Sequence, residues 1–115
     1  MVTSAYRSKL YMEKEGWISE VVEHRQGCFH RTDLFGFGDV IAFSRDVGIL
    51  LIQAYYKGAA KQHIKLWPKT NKLIREWVKA GGLFEHQVWY REKKSVDGRK
   101  PWKVKRIGLG VVIVS

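Results

Sequence analysis

Two oxygen-bearing side chains flank an otherwise apolar pair of segments. Asp39 opens the run Val40-Ile41-Ala42-Phe43, and Gln53 interrupts Ile49-Leu50-Leu51-Ile52 where it passes into Ala54-Tyr55-Tyr56-Lys57. A polar group buried in a strand costs free energy unless something satisfies it, so both positions need a physical reason. One reason is that they are the polar ends of two strands at a sheet rim. The other is that their oxygens converge on one hard cation, the kind that oxygen donors from adjacent strands bind.

The elements that would position these groups follow from the chain order. Thr3 or Ser4 caps a first helix reaching about Glu15, with Tyr6, Leu10 and Met12 as its apolar stripe and Gly16 as its stop. Trp17 to His24 reads as a strand, and Arg25 to Thr32 as a polar, basic loop. Asp33-Leu34-Phe35-Gly36-Phe37-Gly38 is a glycine-bent approach to the central hairpin. That hairpin comprises Asp39–Phe43 and Ile49–Tyr55, turned at Ser44–Gly48. Lys57, Lys61 and Lys65 then share one face of a helix that Pro68 breaks. A further helical segment spans Asn71 to Ala80 and ends at Gly81-Gly82. Leu83–Glu92 and Trp102–Ile107 are strands joined by a charged turn around Asp97-Gly98, a hairpin signal. Val111–Val114 is a last β-prone tail. This order predicts a mixed sheet with helices packed on it.

Composition narrows the partners. With 115 residues the chain is expected to form a single domain, residues 1–115, with a real core fed by five each of Trp, Tyr and Phe. Lys plus Arg number 21 against 11 Asp plus Glu, a formal charge of +10, which points to a polyanion. The lone Cys28 excludes an internal disulfide and a multi-cysteine zinc site, as fits a reducing cytosol. No apolar run reaches membrane-spanning length and no signal-peptide core is present, so a soluble, cytoplasmic protein with no membrane partner is expected. The histidines at 24, 30, 63 and 86 lack the spacing of a histidine-metal nuclease. Gly36-Phe37-Gly38 lacks the continuation of a nucleotide-binding loop.

A helix ending in Lys14-Glu15-Gly16-Trp17, an Asp opening a short apolar strand, and Leu51-Ile52-Gln53 after a tight turn resemble the PD-(D/E)XK nuclease superfamily. Within it the pattern is most similar to the small phage-type and Holliday-junction-resolvase-like nucleases. Asp33–Asp39 and Trp77-Val78-Lys79-Ala80-Gly81-Gly82 are similar to stretches of short phage and bacterial proteins of this kind. The resemblance spans roughly Ser4 to Lys105 and is specific across residues 33–61. It implies an α/β, restriction-endonuclease-like fold, a mixed β-sheet flanked by helices, in an intracellular protein of phage or bacterial type.

In that family an Asp and a Glu, sometimes a Gln, hold magnesium together with the next residue's carbonyl. A Lys two residues past the Glu or Gln helps orient the attacking water. Carried over by position, Asp39 is the anchoring ligand, Gln53 the second through its amide oxygen, and the Ala54 carbonyl the backbone ligand, with Mg or Mn as cofactor. Tyr55 stands where the family has its lysine. Lys57, two residues on, either reaches back as a surrogate or begins a basic helix face. Gln53 also lacks the charge of a Glu. Glu23 and Asp33 are the acids able to restore it; otherwise Glu23 is a solvated strand residue and Asp33 caps the glycine-rich turn.

The nucleic-acid surface is expected from Arg25 and Arg31 in the basic loop, from Lys57, Lys61 and Lys65, and from the second hairpin. Between Arg91 and Arg106 that hairpin carries eight basic residues, Lys93, Lys94, Arg99 and Lys100 among them, against two acids. Trp89, Tyr90 and Trp102 among those charges are either stacking platforms or core. The resulting expectation is a Mg-dependent endodeoxyribonuclease, structure-selective or Holliday-junction-resolving. It would act on branched or duplex DNA as a homodimer, with Val111–Val114 a candidate pairing edge. The alternative is a nuclease-fold DNA-binding module with weakened or lost catalysis, and a third reading is an RNA- or protein-binding adaptor.

Overall fold

Thr3 caps the first helix: its hydroxyl accepts the Tyr6 N–H at 3.1 Å, satisfying one of the orphan donors of a helix start. The computed structural model describes residues 3–22, 24–26, 30–32, 34–35, 38–58, 72–91, 101–108 and 111–114. The capped helix, α1, spans Ser4–Lys14, and Gly16 follows it at φ +94°, a conformation that a side chain would strain. The expected stripe of Tyr6, Leu10 and Met12 is corrected in part. Tyr6 and Leu10 are exposed, while Ala5, Ser8 and Met12 are buried. Small side chains at 5 and 8 let the helix lie close to the sheet, and the Ser8 hydroxyl accepts the Trp89 Nε1–H at 2.8 Å.

The strands in chain order are β1 (Ile18–Val21), β2 (His24–Gln26), β3 (His30–Thr32), β4 (Val40–Ser44), β5 (Gly48–Tyr56), β6 (Leu83–Arg91), β7 (Trp102–Gly108) and β8 (Val111–Val114). Residues 72–79 form a helix, α2, between β5 and β6. Six strands make one sheet in the order β1-β4-β5-β6-β7-β8. β5 and β6 pair in parallel and the other neighbours antiparallel, so the architecture is mixed α/β. The strand expected over Trp17–His24 is shorter, and part of the expected Arg25–Thr32 loop is paired instead. β2 and β3 form a separate antiparallel ribbon with Arg25 opposite Arg31. Its His-Arg-Gln and His-Arg-Thr sequences carry no apolar alternation, the signal by which a strand is read.

Side-chain alternation along β5 sends Leu50, Ile52 and Ala54 into a core with Ala5 and Met12 of α1. Leu51 goes the other way, packing with Ile74 of α2 and with Phe84. A strand covered on both faces is apolar throughout, and this accounts for Leu50, Leu51 and Ile52, whereas Ile49 is exposed. β6 is equally covered yet carries Glu85, His86 and Gln87 in its buried interior. Glu85 is satisfied by a bidentate pair with Arg106, 2.6 Å from Oε2 to Nε and 2.6 Å from Oε1 to Nη2, and it also accepts from Gln87 Nε2 at 3.0 Å. The hydrogen bond to Glu85 holds the Arg106 guanidinium even more firmly protonated than usual. Arg106 is therefore withdrawn from the basic surface counted in the sequence. No helix among the described residues is long and apolar enough to cross a membrane.

Candidate functional site

Asp39 sits one residue ahead of β4, wedged between its two neighbour strands. Its N–H donates to the Ile52 carbonyl at 2.8 Å, and its own carbonyl accepts from Val22 N–H at 2.8 Å. The side chain is 6% exposed, and Oδ2 accepts the Ala54 N–H at 2.9 Å. A carboxylate hydrogen-bonded to a backbone amide has its rotamer set by the sheet itself. The register that pairs Val40 with Ile52 continues to Asp39 beside Gln53, and alternation turns both toward the α2 face.

Close approach explains the glycine before Asp39. A Cβ on Gly38 would lie 2.5 Å from Leu51 Cγ and Cδ1, and Leu51 is fully buried. Gly38→Ala is expected to destabilise the fold by about 1–3 kcal/mol, the usual cost of overpacking. Urea unfolding of the variant measures this, and an unchanged midpoint would show that Leu51 can move aside.

The other members of the predicted site divide clearly. The Ala54 carbonyl accepts from the Ser4 hydroxyl at 3.1 Å and, like any carbonyl oxygen, has a second lone pair. Tyr55 is buried, its hydroxyl 3.0 Å from His86 Nδ1, and burial pushes its pKa up to about 12. Tyr55 is therefore a neutral hydroxyl at ordinary pH. β5 ends at Tyr56, and Lys57 begins a helical turn, exposed, with Nζ 6.0 Å from the centroid of the Tyr90 ring. Tyr90 shares the α2 face with Val88 and His86, so Lys57 stays on the side of the sheet that carries Gln53 and Tyr55. Lys105 and Lys103 of β7, opposite Val88 and Tyr90, extend the same face with two further cations.

Glu23, Asp33, Lys61, Lys65, Lys93, Lys94, Arg99 and Lys100 lie outside the described residues, and of Arg25 and Arg31 the backbone pairing is described. Trp89 belongs to the core, tied to Ser8 and edge-on to Tyr11 at 5.9 Å, which settles it against a stacking platform. Among the described residues no three of His, Cys, Asp and Glu gather into one group. What the register does bring together is the Asp39 carboxylate, on the Ala54 amide, and Gln53 as its cross-strand neighbour.

His86 is the residue that sequence spacing missed. It is buried opposite Gln53 across the parallel β5–β6 pair, bonded to Tyr55 and packed against Phe84 at 5.0 Å between ring centroids. The one available signal was the Glu85-His86-Gln87 triplet inside a strand that, up to its closing Arg91, is otherwise built of Leu, Phe, Val, Trp and Tyr. Comparison of the chain with protein-family models, curated proteins and solved structures gave no match.

Proposed function

We propose that this chain is a metal-dependent DNA endonuclease of the structure-selective or Holliday-junction-resolving kind, on a restriction-endonuclease-like sheet. The observation that carries the reading is Asp39, a buried carboxylate locked between β1 and β5, with Oδ2 on the Ala54 amide and Gln53 beside it. A carboxylate kept in so enclosed a position is a functional candidate on energetic grounds. Asp39, Gln53 and the Ala54 carbonyl form an all-oxygen donor set that fits magnesium or manganese and suits zinc poorly. Such an ion, when bound, polarises the scissile phosphate, lowers the pKa of a coordinated water and stabilises the departing oxyanion.

The chain's own side chains supply the rest. Lys57, with Lys103 and Lys105 on the same face, places positive charge where a phosphodiester would approach. Tyr55, protonated because burial disfavours its phenolate, shares a hydrogen bond with His86 Nδ1 and does not act as a base. Tyr55→Phe is accordingly expected to slow cleavage without moving the alkaline limb of the pH–rate profile. A shifted limb would make Tyr55 a titrating member of the reaction. The outer edge of β8, the last strand of the sheet, offers a ladder on which a second copy could pair in a symmetric dimer.

The runner-up is a DNA-binding module that keeps the sheet without the chemistry. Its support is Tyr55 itself, since the position of the family lysine holds a neutral phenol tied to His86. Labelled duplex, flap and four-way-junction DNA, incubated with magnesium or manganese, separates the two. Cutting of any of these DNAs favours the nuclease, and tight binding with no cutting of any favours the module. Both readings share one expectation from the +10 charge. DNA affinity should fall by about a thousandfold between ~50 and ~200 mM salt if several phosphates are neutralised. Affinity that is flat over this range would remove the electrostatic surface from both.

A further inference from the structure

The α1 side of the same sheet end carries a second cationic group. Arg91 closes β6, Trp102 opens β7 directly opposite it, and Arg7 reaches over from α1. The Arg7 and Arg91 guanidinium carbons lie 4.2 and 4.6 Å from the centroid of the Trp102 ring. Tyr56 completes the cluster, its ring 5.3 Å from Trp102 and its hydroxyl accepting from Arg7 Nε at 3.2 Å. Two like charges at one indole repel each other, a repulsion that an anion between them would relieve. Among the described residues, no carboxylate pairs with either arginine.

Stacking on an indole face fixes the plane of a guanidinium while its in-plane N–H groups stay available. Arg7 uses Nε on Tyr56, and its two terminal amino nitrogens carry four further N–H donors. Two guanidinium groups held against one ring present two such forks, each able to receive phosphate oxygens in a bidentate way. The cluster also connects to the candidate site. Ser4, one helical turn before Arg7, donates to the Ala54 carbonyl, so α1 touches both.

We infer that Arg7, Arg91 and Trp102 form a phosphate clamp for the DNA backbone, on the face of the sheet opposite Lys57. A duplex meeting the ends of β5 and β6 would then be held from both faces, by Lys57 on one and by the arginine pair on the other. The inference rests on DNA being the bound polymer, as proposed above, and does not require that DNA be cut.

Binding is measured by anisotropy of a fluorescein-labelled DNA duplex, with EDTA present and salt varied. The variants are Arg7→Gln, Arg91→Gln, their double, Arg91→Lys and Trp102→Leu, each checked by urea unfolding. The double variant should weaken binding at least about tenfold and reduce the salt slope by between about 1 and 2, close to 0.9 for each phosphate that is no longer neutralised. Arg91→Lys should retain the slope and still lose affinity, because charge remains but the stacked fork does not. Variants that lose folding stability while binding DNA with wild-type affinity and slope would overturn the clamp and make the cluster a packing device. Inorganic phosphate that binds wild type but not the double variant, while both proteins bind DNA alike, would also overturn it, in favour of a small-anion site. Loss of cutting in Asp39→Asn alongside wild-type DNA binding by the double variant sinks the clamp and keeps the nuclease. Weakened binding by the double variant, with no cutting of any DNA by wild type, does the reverse.

Discussion

Asp39→Asn should abolish metal-dependent cleavage while leaving the fold and the DNA affinity close to wild type. Asn is nearly isosteric, and its amide oxygen can still accept the Ala54 N–H that Asp39 Oδ2 accepts at 2.9 Å. The backbone bonds of residue 39 to Ile52 and Val22 do not involve the side chain and persist. What disappears is a negative charge at a buried position and, on the nuclease reading, the anchoring donor for a divalent ion. Partners that merely orient a metal's ligands cost about 10–100-fold when removed, so loss of the anchoring ligand should cost at least about 100-fold. Single-turnover cleavage with magnesium, compared with anisotropy in EDTA, separates chemistry from binding. Cleavage at the wild-type rate would take Asp39 out of the site.

Gln53 and Lys57 provide the second large effect, in opposite directions. Gln53 lies beside Asp39 and opposite His86, and an amide oxygen there offers a lone pair but no charge. Gln53→Glu should therefore keep or raise metal affinity, measurable by calorimetric titration of the variant with manganese. Lys57→Ala should lower the cleavage rate by about a hundredfold, the usual cost of losing one preorganised electrostatic group. The geometry sharpens this expectation. Lys57 begins a helical turn yet remains on the Gln53 side, its ammonium over Tyr90. If the chain is a binding module, Lys57→Ala only weakens DNA binding, with a salt slope reduced by about 0.9 for the single phosphate involved. A Lys57→Ala protein that cuts at the wild-type rate would end the surrogate-lysine idea while leaving Asp39 untouched.

Local signals in the chain were enough to determine several parts of this molecule. The Thr3 cap, the Gly16 stop, the β4–β5 hairpin with its turn ending at Gly48, and the β6–β7 pair all follow from capping chemistry, alternation and turn residues. Asp39 and Gln53 could be singled out for the same reason, as polar interruptions of apolar strands. What lay beyond local reading depended on which surfaces meet. Ser8 looks like a solvent residue until α1 packs and Trp89 finds its hydroxyl. Tyr55 was legible as a departure from the pattern of the family that the sequence resembles, but its burial against His86 became visible only when β5 paired in parallel with β6 and brought His86 Nδ1 to 3.0 Å from its hydroxyl. A parallel register is set by a crossover and by packing on both faces, so no short window of sequence encodes it. The same holds for the cations: Arg106 and Arg91 belong to one basic run, yet one is enclosed against Glu85 and the other stacks on Trp102 with Arg7. Charge along a chain is additive and readable, whereas its division between interior and surface is decided by strand pairing and by the helix laid across it.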